Sequence, residues 1–293
     1  MESIRVGWIG TGVMGRSMCG HLIAAGYPVR VYNRTRSKAE ALACDTVVCC
    51  DSPAEVAAGS DIIFAIVGFP RDVEEVFLGE SGLVAHAKPG AVLVDMTTSE
   101  PSLAARIHKA AAEKGLAALD APVSGGDIGA REATLAIMVG GEAAVFERVK
   151  PLFTRMGRNI RLMGGPGAGQ HTKMSNQILI AGTMVGVVES LLYAHKAGLD
   201  LDAVIDVIGS GAAGSWSINN LGRRIAKGDF NPGFFIKHFV KDMGIALAEA
   251  RAMNLSLPGL ALVQQFYIAA QAMGLENLGT QGLYKVFERM NGR

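Results

Sequence analysis

Through the first half of the chain, short apolar runs alternate with longer stretches in which apolar positions recur every three or four residues. Ile4 to Ile9, Val29 to Tyr32, Asp61 to Val67, Ala91 to Asp95, Leu116 to Asp120 and Leu135 to Val139 read as strands. Arg16 to Ala25, Pro53 to Gly59 and Pro101 to Lys114 read as helices between them. Strands that are apolar throughout, rather than on alternate residues, fit a sheet covered on both faces. The βαβ rhythm predicts an open, doubly wound, mostly parallel sheet. The pattern changes after about residue 163 at a glycine-rich junction, Gly164-Gly-Pro-Gly-Ala-Gly169. Beyond it the period is helical: Gln170 to Ala197, Asp202 to Ile208, a polar glycine-rich loop, Phe234 to Met253, Pro258 to Met273 and Leu283 to Met290. The expected architecture is an α/β domain over residues 1–163 and an all-α domain over 164–293, with a long interdomain helix at about 168–197. Inside that helix Gly182 and Gly186 have a spacing that allows close helix–helix packing, between subunits or within one chain.

Composition narrows the function classes. The 293 residues leave room for one large or two ordinary domains. With 28 Lys+Arg against 27 Asp+Glu and no basic block, neither nucleic acid nor an anionic membrane surface is an expected partner. The longest uncharged apolar stretch, near Ile178 to Val188, stops at Glu189 and is too short to span a bilayer, so a buried helix is expected. No charged-then-apolar leader precedes the first strand, and no secretory signal is expected. Cys19, Cys44, Cys49 and Cys50 lack metal-ligand spacing and read as reduced thiols of a cytoplasmic protein. None of the six histidines lies in an H-x-x-x-H or H-E-x-x-H pattern, so no metal is expected.

The first strand runs into Gly10-Thr11-Gly12-Val13-Met14-Gly15, a G-x-G-x-x-G pattern that opens onto a helix. Gly10 permits a tight turn, Gly12 lets a pyrophosphate approach the backbone, and Gly15 lets helix and strand pack closely. The helix N-terminus adds free N–H groups and a positive dipole end. This predicts a Rossmann dinucleotide-binding domain with residues Gly10 to Gly15 on the cofactor. The next strand ends at Asn33-Arg34-Thr35-Arg36, where an acid would normally hold the ribose 2′-hydroxyl of NAD. Asn33 is neutral, and Arg34 is a permanent cation beside the hydroxyl of Thr35. A 2′-phosphate needs such charge-assisted donors, so NADP is the expected cofactor, with NAD possible. Arg36 and Lys38 are equally read as solvated charges at a helix start. Val67, Gly68, Thr97 and Thr98 follow strand ends, where the nicotinamide half of the cofactor should lie.

Four motifs in one order now stand along nearly the whole chain: Gly10 to Gly15; Asp120-Ala-Pro-Val-Ser-Gly-Gly126; Gly167-x-Gly-x-x-x-Lys173-x-x-Asn176; and Phe234 to Asp242, with Lys241-Asp242. On these the chain resembles the β-hydroxyacid dehydrogenase family, which includes 3-hydroxyisobutyrate dehydrogenase, tartronate semialdehyde reductase and glyoxylate/succinic semialdehyde reductases. The resemblance implies a dinucleotide domain plus a helical domain with the active site between them. It also implies reversible hydride transfer between NAD(P)(H) and a small β-hydroxyacid or its semialdehyde. The family's catalytic lysine falls at Lys173. Burial and a nearby helix N-terminus would both disfavour its ammonium form, suiting it to act as general acid and base. Without the motif, a surface lysine whose stem covers apolar surface is the alternative.

Ser124, Gly125 and Gly126 correspond to the segment that holds the substrate's acid group in the family, and backbone N–H groups in a glycine turn suit a carboxylate. Asp120 reads as a structural cap rather than an acid catalyst. Asn176 and Gln177 share a helix face with Lys173 and offer amides to a substrate oxygen. Many relatives carry Asn where this chain has Gln177. The resemblance places Lys241 at the cofactor or substrate edge and Phe234 against the nicotinamide. Lys237 and Lys241, one helical turn apart, otherwise read as a solvated basic face. Gly68-Phe69-Pro70 departs from the family, which more often has Leu-Pro there. Trp216, in the Ser210 to Asn220 loop, reads as a pocket wall or a packing residue. An imine reductase on the same architecture and a non-catalytic dinucleotide-binding scaffold or sensor are the rival functions, and Lys173 argues against both. The long apolar helix and the family habit point to a homodimer or homotetramer.

Overall fold

The computed structural model describes residues 4–292; the outer ends of the expected domain ranges, 1–3 and 293, lie outside the described residues. Among the described residues, nine strands form one sheet: β1 (Val6–Ile9), β2 (Val29–Tyr32), β3 (Val47–Cys49), β4 (Ile62–Ala65), β5 (Val92–Asp95), β6 (Ala117–Asp120), β7 (Val123–Ser124), β8 (Leu135–Gly141) and β9 (Gly157–Gly164). Their order is β3-β2-β1-β4-β5-β6-β8-β7, with β9 on β8. The pairings from β3 across to β6 are parallel, whereas β8 runs antiparallel to β6 and β7 and parallel to β9. Sheet order reverses between β1 and β4, which both follow the rule for a doubly wound fold and mark its ligand crevice.

The reason for the two covered faces can be read residue by residue. Trp8, Ile62, Phe64, Val92 and Val94 enter one apolar cluster, while Ile9, Ile63, Ala65 and Leu93 enter another. Successive residues of a strand point to opposite faces, so a fully apolar strand serves two cores. Trp8 and Phe64 stack at 5.5 Å between centroids, and Phe153 meets Phe64 edge-on at 5.9 Å.

Three strands escape the apolar-run criterion. β3 and β7 are only three and two residues long. β9 is an edge strand, largely exposed and carrying Arg158 and Arg161, so it has little apolar signal to read. The first helix spans Val13–Ala24 and thus starts three residues before the expected Arg16.

The chain divides into two compact units, Met1–Lys173 and Met174–Arg293. The long helix Ala168–Lys196 crosses that division. Among the described residues, the second unit is built from helices; the main ones after the long helix are Leu201–Ile208, Ile236–Ala252, Pro258–Ala272 and Leu283–Met290. Its core gathers Met184, Val188, Leu191, Phe239, Met243, Tyr267 and Phe287. Phe239 and Tyr267 meet edge-on at 5.1 Å, and the Tyr267 hydroxyl donates to the Thr280 carbonyl at 2.9 Å. Burial pushes that phenol upward. The segment expected to be a polar loop contains a π-helical turn, Ser217–Gly222, that runs into a short helix at Arg223–Ala226.

By length and composition alone the long helix could cross a bilayer. The uncharged stretch from Ile178 to Val188 is too short to span, but the helix itself runs from Ala168 to Lys196, well past the Glu189 that ends it. Met174, Ala181, Met184, Val188 and Leu191 on this helix are buried in the core of the second unit. Leu179 and Tyr193 stand 72% and 77% exposed. A Cβ built on Gly182 or Gly186 meets nothing within 4 Å, so packing within the chain does not require either glycine.

Candidate active site

The parallel strands β1, β2, β4, β5 and β6 place their C-terminal ends, and the loops that follow, along one edge of the sheet. Gly10 has a φ of +93°, and a Cβ there would collide with the Ile66 carbonyl in the loop after β4. A Cβ on Gly15 would collide with the Gly10 carbonyl. These two glycines are demanded by the protein's own packing. Gly12 is different: its φ of −71° suits any residue, and a Cβ there meets nothing within 4 Å. The space above Gly12 is therefore open, as close approach of a pyrophosphate requires. Val13, Met14 and Gly15 form the helix's first turn, which has no acidic residue and no side-chain cap. Thr11 Oγ1 is buried without a hydrogen-bond partner. An open glycine, an uncapped N-terminus and an orphaned hydroxyl together fit a phosphate-bearing dinucleotide.

Asn33 is tied to this loop. Its Oδ1 accepts from Thr11 N at 2.9 Å, and its Nδ2 donates to the Thr35 carbonyl at 2.9 Å. Thr35 is the residue before the helix Arg36–Glu40 and makes no side-chain cap. Arg34 projects outward, 86% exposed, with Nη1 3.4 Å from Asp72 Oδ1. Arg36 donates to Glu40 at 2.8 Å and to Asp51, which engages its guanidinium on the protein surface. Arg34 is thus the less committed of the two cations.

After β4 and β5, Val67 N donates to Thr97 Oγ1 at 3.0 Å, and Thr97 N donates to Asp95 Oδ1 at 2.9 Å. The Val67–Gly68 and Thr97–Thr98 loops are therefore coupled at their bases. At the end of β6, Asp120 accepts from Gly167 N and from Gln170 N, both at 2.8 Å. It acts as a cap on the start of the long helix. Burial pushes its carboxyl above the usual range, and the N–H groups of Gly167, Gln170 and Gly169 oppose that rise. A Cβ on Gly169 would strike the Met138 and Asp120 carbonyls, so Gly169 lies directly on β6 and β8. Lys173 follows in the second turn of the helix and is 7% exposed, which removes the surface-lysine alternative.

Ser124 ends β7, and Gly125 and Gly126 continue with φ values of +132° and +64°. A Cβ on Gly126 meets nothing within 4 Å. This gives a turn of positive-φ residues with open space beside it, beyond the β6 end of the same sheet.

In the second unit the candidate residues meet through a carboxylate that sequence reading left without a role. Gln177 Nε2 donates to Asp242 Oδ2 at 2.6 Å, and Asn176 Nδ2 donates to Gln177 Oε1 at 2.8 Å. Lys241 Nζ lies 3.1 Å from Asp242 Oδ1, an ion-pair contact outside hydrogen-bond geometry. Gln177 and Asp242 are each 1% exposed, and the Lys241 side chain 11%. Lys241 is thus not part of a solvated basic face. Lys237 is elsewhere, donating to Asn277 Oδ1 at 2.9 Å. Phe234 precedes the helix Ile236–Ala252 and packs edge-on against Phe239 at 5.6 Å. Trp216, 54% exposed, leads into the π-helical turn. Gln170 has no role in the sequence reading either; its place three residues before Lys173, on the same helix face, is the one local signal it offers.

Residues 5–165 match the family model for the NAD binding domain of 6-phosphogluconate dehydrogenase, and residues 167–287 match that for the NAD-binding region of NADP-dependent 3-hydroxyisobutyrate dehydrogenase. A probable mitochondrial 3-hydroxyisobutyrate dehydrogenase-like protein of Arabidopsis thaliana is 55% identical over 99% of this chain and 87% of its own length. The 2-hydroxy-3-oxopropionate reductase of Escherichia coli is 42% identical over 98% of both chains. The structure of Mycobacterium tuberculosis 3-hydroxyisobutyrate dehydrogenase with L-serine superposes with a TM-score of 0.87 at 28% identity, covering 97% of this chain and 99% of that one. An imine reductase from Pseudomonas sp. shares the fold at a TM-score of 0.64 and 18% identity, covering 98% of this chain and 100% of its own.

Proposed function

The chain belongs to the β-hydroxyacid dehydrogenase family, and from that premise we propose that it is an NAD(P)-dependent oxidoreductase acting on a small β-hydroxyacid or its semialdehyde, with Lys173 as general acid and base. The observation that carries the reading is a buried lysine in the second turn of a helix whose start is capped by Asp120 at the sheet's ligand edge. The named relatives act on hydroxyacids or their oxo forms, whereas imine reductases share only the fold. A scaffold would not need a lysine withdrawn from water at this position.

Each part of the chain has a task under this reading. Residues 1–163 hold the dinucleotide through Gly10, Thr11, Gly12, Val13, Met14 and Gly15, with Asn33, Arg34 and Thr35 at the adenosine end. Arg34 supplies the charge-assisted donor for a 2′-phosphate, which favours NADP while leaving NAD usable. Val67, Gly68, Thr98, Phe234 and Lys241 serve the nicotinamide half. The bound cofactor supplies or accepts the hydride. In the oxidation direction Lys173 Nζ takes the hydroxyl proton; in reduction it returns the proton to the carbonyl oxygen. Ser124 and the N–H groups of Gly125 and Gly126 hold the substrate carboxylate, so the reacting carbon is placed rather than found by diffusion. Gln177 is oriented by Asp242, which requires its Nε2 to face the carboxylate and leaves one amide hydrogen for a substrate oxygen. Asn176 fixes the other end of that amide. Residues 164–293 bind substrate and mediate oligomerisation.

We further propose a cytoplasmic homodimer or homotetramer. The four cysteines are all unpaired, which fits a reducing compartment. Mid-helix glycines at 182 and 186 carry a helix-propensity cost of about 1 kcal/mol each, and packing within the chain does not compensate it. Leu179 and Tyr193 flank them with exposed apolar surface. A second copy packed on this face accounts for both. Sedimentation of the purified protein as a monomer at micromolar concentration would overturn the oligomer.

The test of the catalytic reading is steady-state kinetics of wild type and Lys173→Ala. The assay uses NADPH and NADH with methylmalonate, succinic and tartronate semialdehydes and glyoxylate. Loss of kcat by roughly 100- to 10,000-fold with NADPH affinity retained is expected. A mutant that turns over normally removes Lys173 from the mechanism; a wild type that binds NADPH and reduces none of the panel leaves a non-catalytic role.

A further inference from the structure

Gln170 is fully buried in the first turn of the long helix, and its side-chain amide and its backbone N–H reach two different pieces of the ligand edge. Its Nε2 donates to the Thr97 carbonyl at 2.7 Å, and its Oε1 accepts from Ser99 N at 3.0 Å. The side-chain amide therefore brackets Thr98, pairing with the backbone on either side of it as a neighbouring strand would. Its own N–H goes to Asp120 Oδ2 at 2.8 Å. Thr97 in turn accepts from Val67 N and donates to Asp95. One glutamine thus ties together the loops after β4 and β5, the end of β6 and the start of the helix that carries Lys173.

Nothing in the core demands a glutamine at this place. An apolar residue of equal size would fill the volume, and burying an amide is tolerable only because both its ends are satisfied. Lys173 stands three residues on, one helical turn away on the same face. Rotation or sliding of the helix start would carry the lysine with it while leaving the Thr98 loop behind. Resting on the function proposed above, we infer that Gln170 is a positioning residue: it sets the placement of Lys173 against the Thr98 loop and hence against the nicotinamide edge, without touching the reacting atoms itself.

The consequence differs from that of losing the lysine or of loosening the cofactor pocket. A misplaced but intact lysine should slow the chemical step, and a misplacement of about 1 Å can cost as much as 100-fold. Two variants grade the clamp. Gln170→Met keeps the volume and removes both bonds; Gln170→Glu keeps an acceptor for Ser99 N and loses the donor to the Thr97 carbonyl when ionised. Both are compared with wild type and Lys173→Ala for kcat, KM, NADPH dissociation constant by fluorescence titration, melting temperature, and the primary isotope effect with NADPH deuterated at the transferred position.

The expected result is a fall in kcat of about 10- to 100-fold for Gln170→Met. The isotope effect should rise, and NADPH affinity should stay within about threefold of wild type. Gln170→Glu should recover toward wild type as pH falls and its carboxyl becomes a neutral donor, measured as the ratio of variant to wild-type kcat at each pH. A folded Gln170→Met with kcat within twofold of wild type overturns the inference. So does a change confined to NADPH affinity, which would make Gln170 part of the cofactor pocket, or failure of both variants to melt cooperatively, which would make it purely structural. If Lys173→Ala itself stays active, the proposed function has failed instead.

Discussion

The candidate-site polar side chains of the sheet unit and of the helical unit are held differently. In the first, Asp95, Asp120, Gln170 and Asn33 spend their polar atoms on backbone N–H and carbonyl groups. In the second, Gln177, Asp242, Asn176 and Lys241 spend theirs largely on one another. A side chain bonded to backbone fixes where a loop runs, and changing it displaces the loop. Side chains bonded to one another can be exchanged as a set while the helices stay put.

The largest expected break in this contrast comes from removing one anchor of each kind. Asp120→Ala strips an acceptor from buried N–H groups at the start of the long helix. At about 1–3 kcal/mol for each of two unsatisfied donors, the melting temperature of the sheet unit should fall by roughly 4–24 °C. Asp242→Ala lets the flexible Lys241 stem turn its ammonium toward water and leaves Gln177 bonded to Asn176. It should lower the melting temperature by about half as much or less, while raising KM for the acid substrate. Equal destabilisation by both, measured by calorimetry, would erase the distinction between the units.

Next in size is a pair of glycines two residues apart. Gly10→Ala must place a Cβ against the Ile66 carbonyl at positive φ and should cost about 1–3 kcal/mol of stability. Gly12→Val meets no protein atom within 4 Å and should fold with a near-normal melting temperature. Its NADPH dissociation constant should nevertheless rise by about tenfold or more, corresponding to about 1.4 kcal/mol of lost binding. Normal NADPH binding by Gly12→Val, measured by calorimetric titration, would mean that the open space is not the phosphate site.

The smallest effect lies at the opposite end of the strands, away from the ligand edge. Partial burial works against ionisation of Asp61, but hydrogen bonds from Arg5 and Lys88 overcome it and hold the carboxyl well below the usual range. A lowered folded-state pKa gives stability that is present above the unfolded value of about 4 and is lost as pH falls through the folded value. Asp61→Asn should therefore melt below wild type at pH 7, by less than about 1 kcal/mol, and the gap should begin to narrow as pH falls below about 4 and go on narrowing in stronger acid. A difference that persists in acid would mean that Asp61 acts through shape rather than charge.

Much of this protein was settled by local pattern. Apolar runs located six strands because a parallel strand buried on both faces needs no long-range information to announce itself. The G-x-G-x-x-G turn and the missing acid after β2 spoke for a phosphate-bearing cofactor through glycine geometry and charge. Lys173, Asn176 and Gln177 could be placed on one helix face by counting residues. Tertiary structure alone decided which glycines answer to the protein and which to something outside it, since Gly10, Gly12 and Gly15 look alike until the Ile66 and Gly10 carbonyls are in place. It alone exposed Asp242 as the partner of Gln177, 65 residues away, and Gln170 as the clamp around Thr98. It also revealed β9, an edge strand whose Ile160 and Leu162 are only partly buried against the sheet core. Periodicity reports what a side chain does with water; who its hydrogen-bond partner is depends on chain segments that only folding brings together.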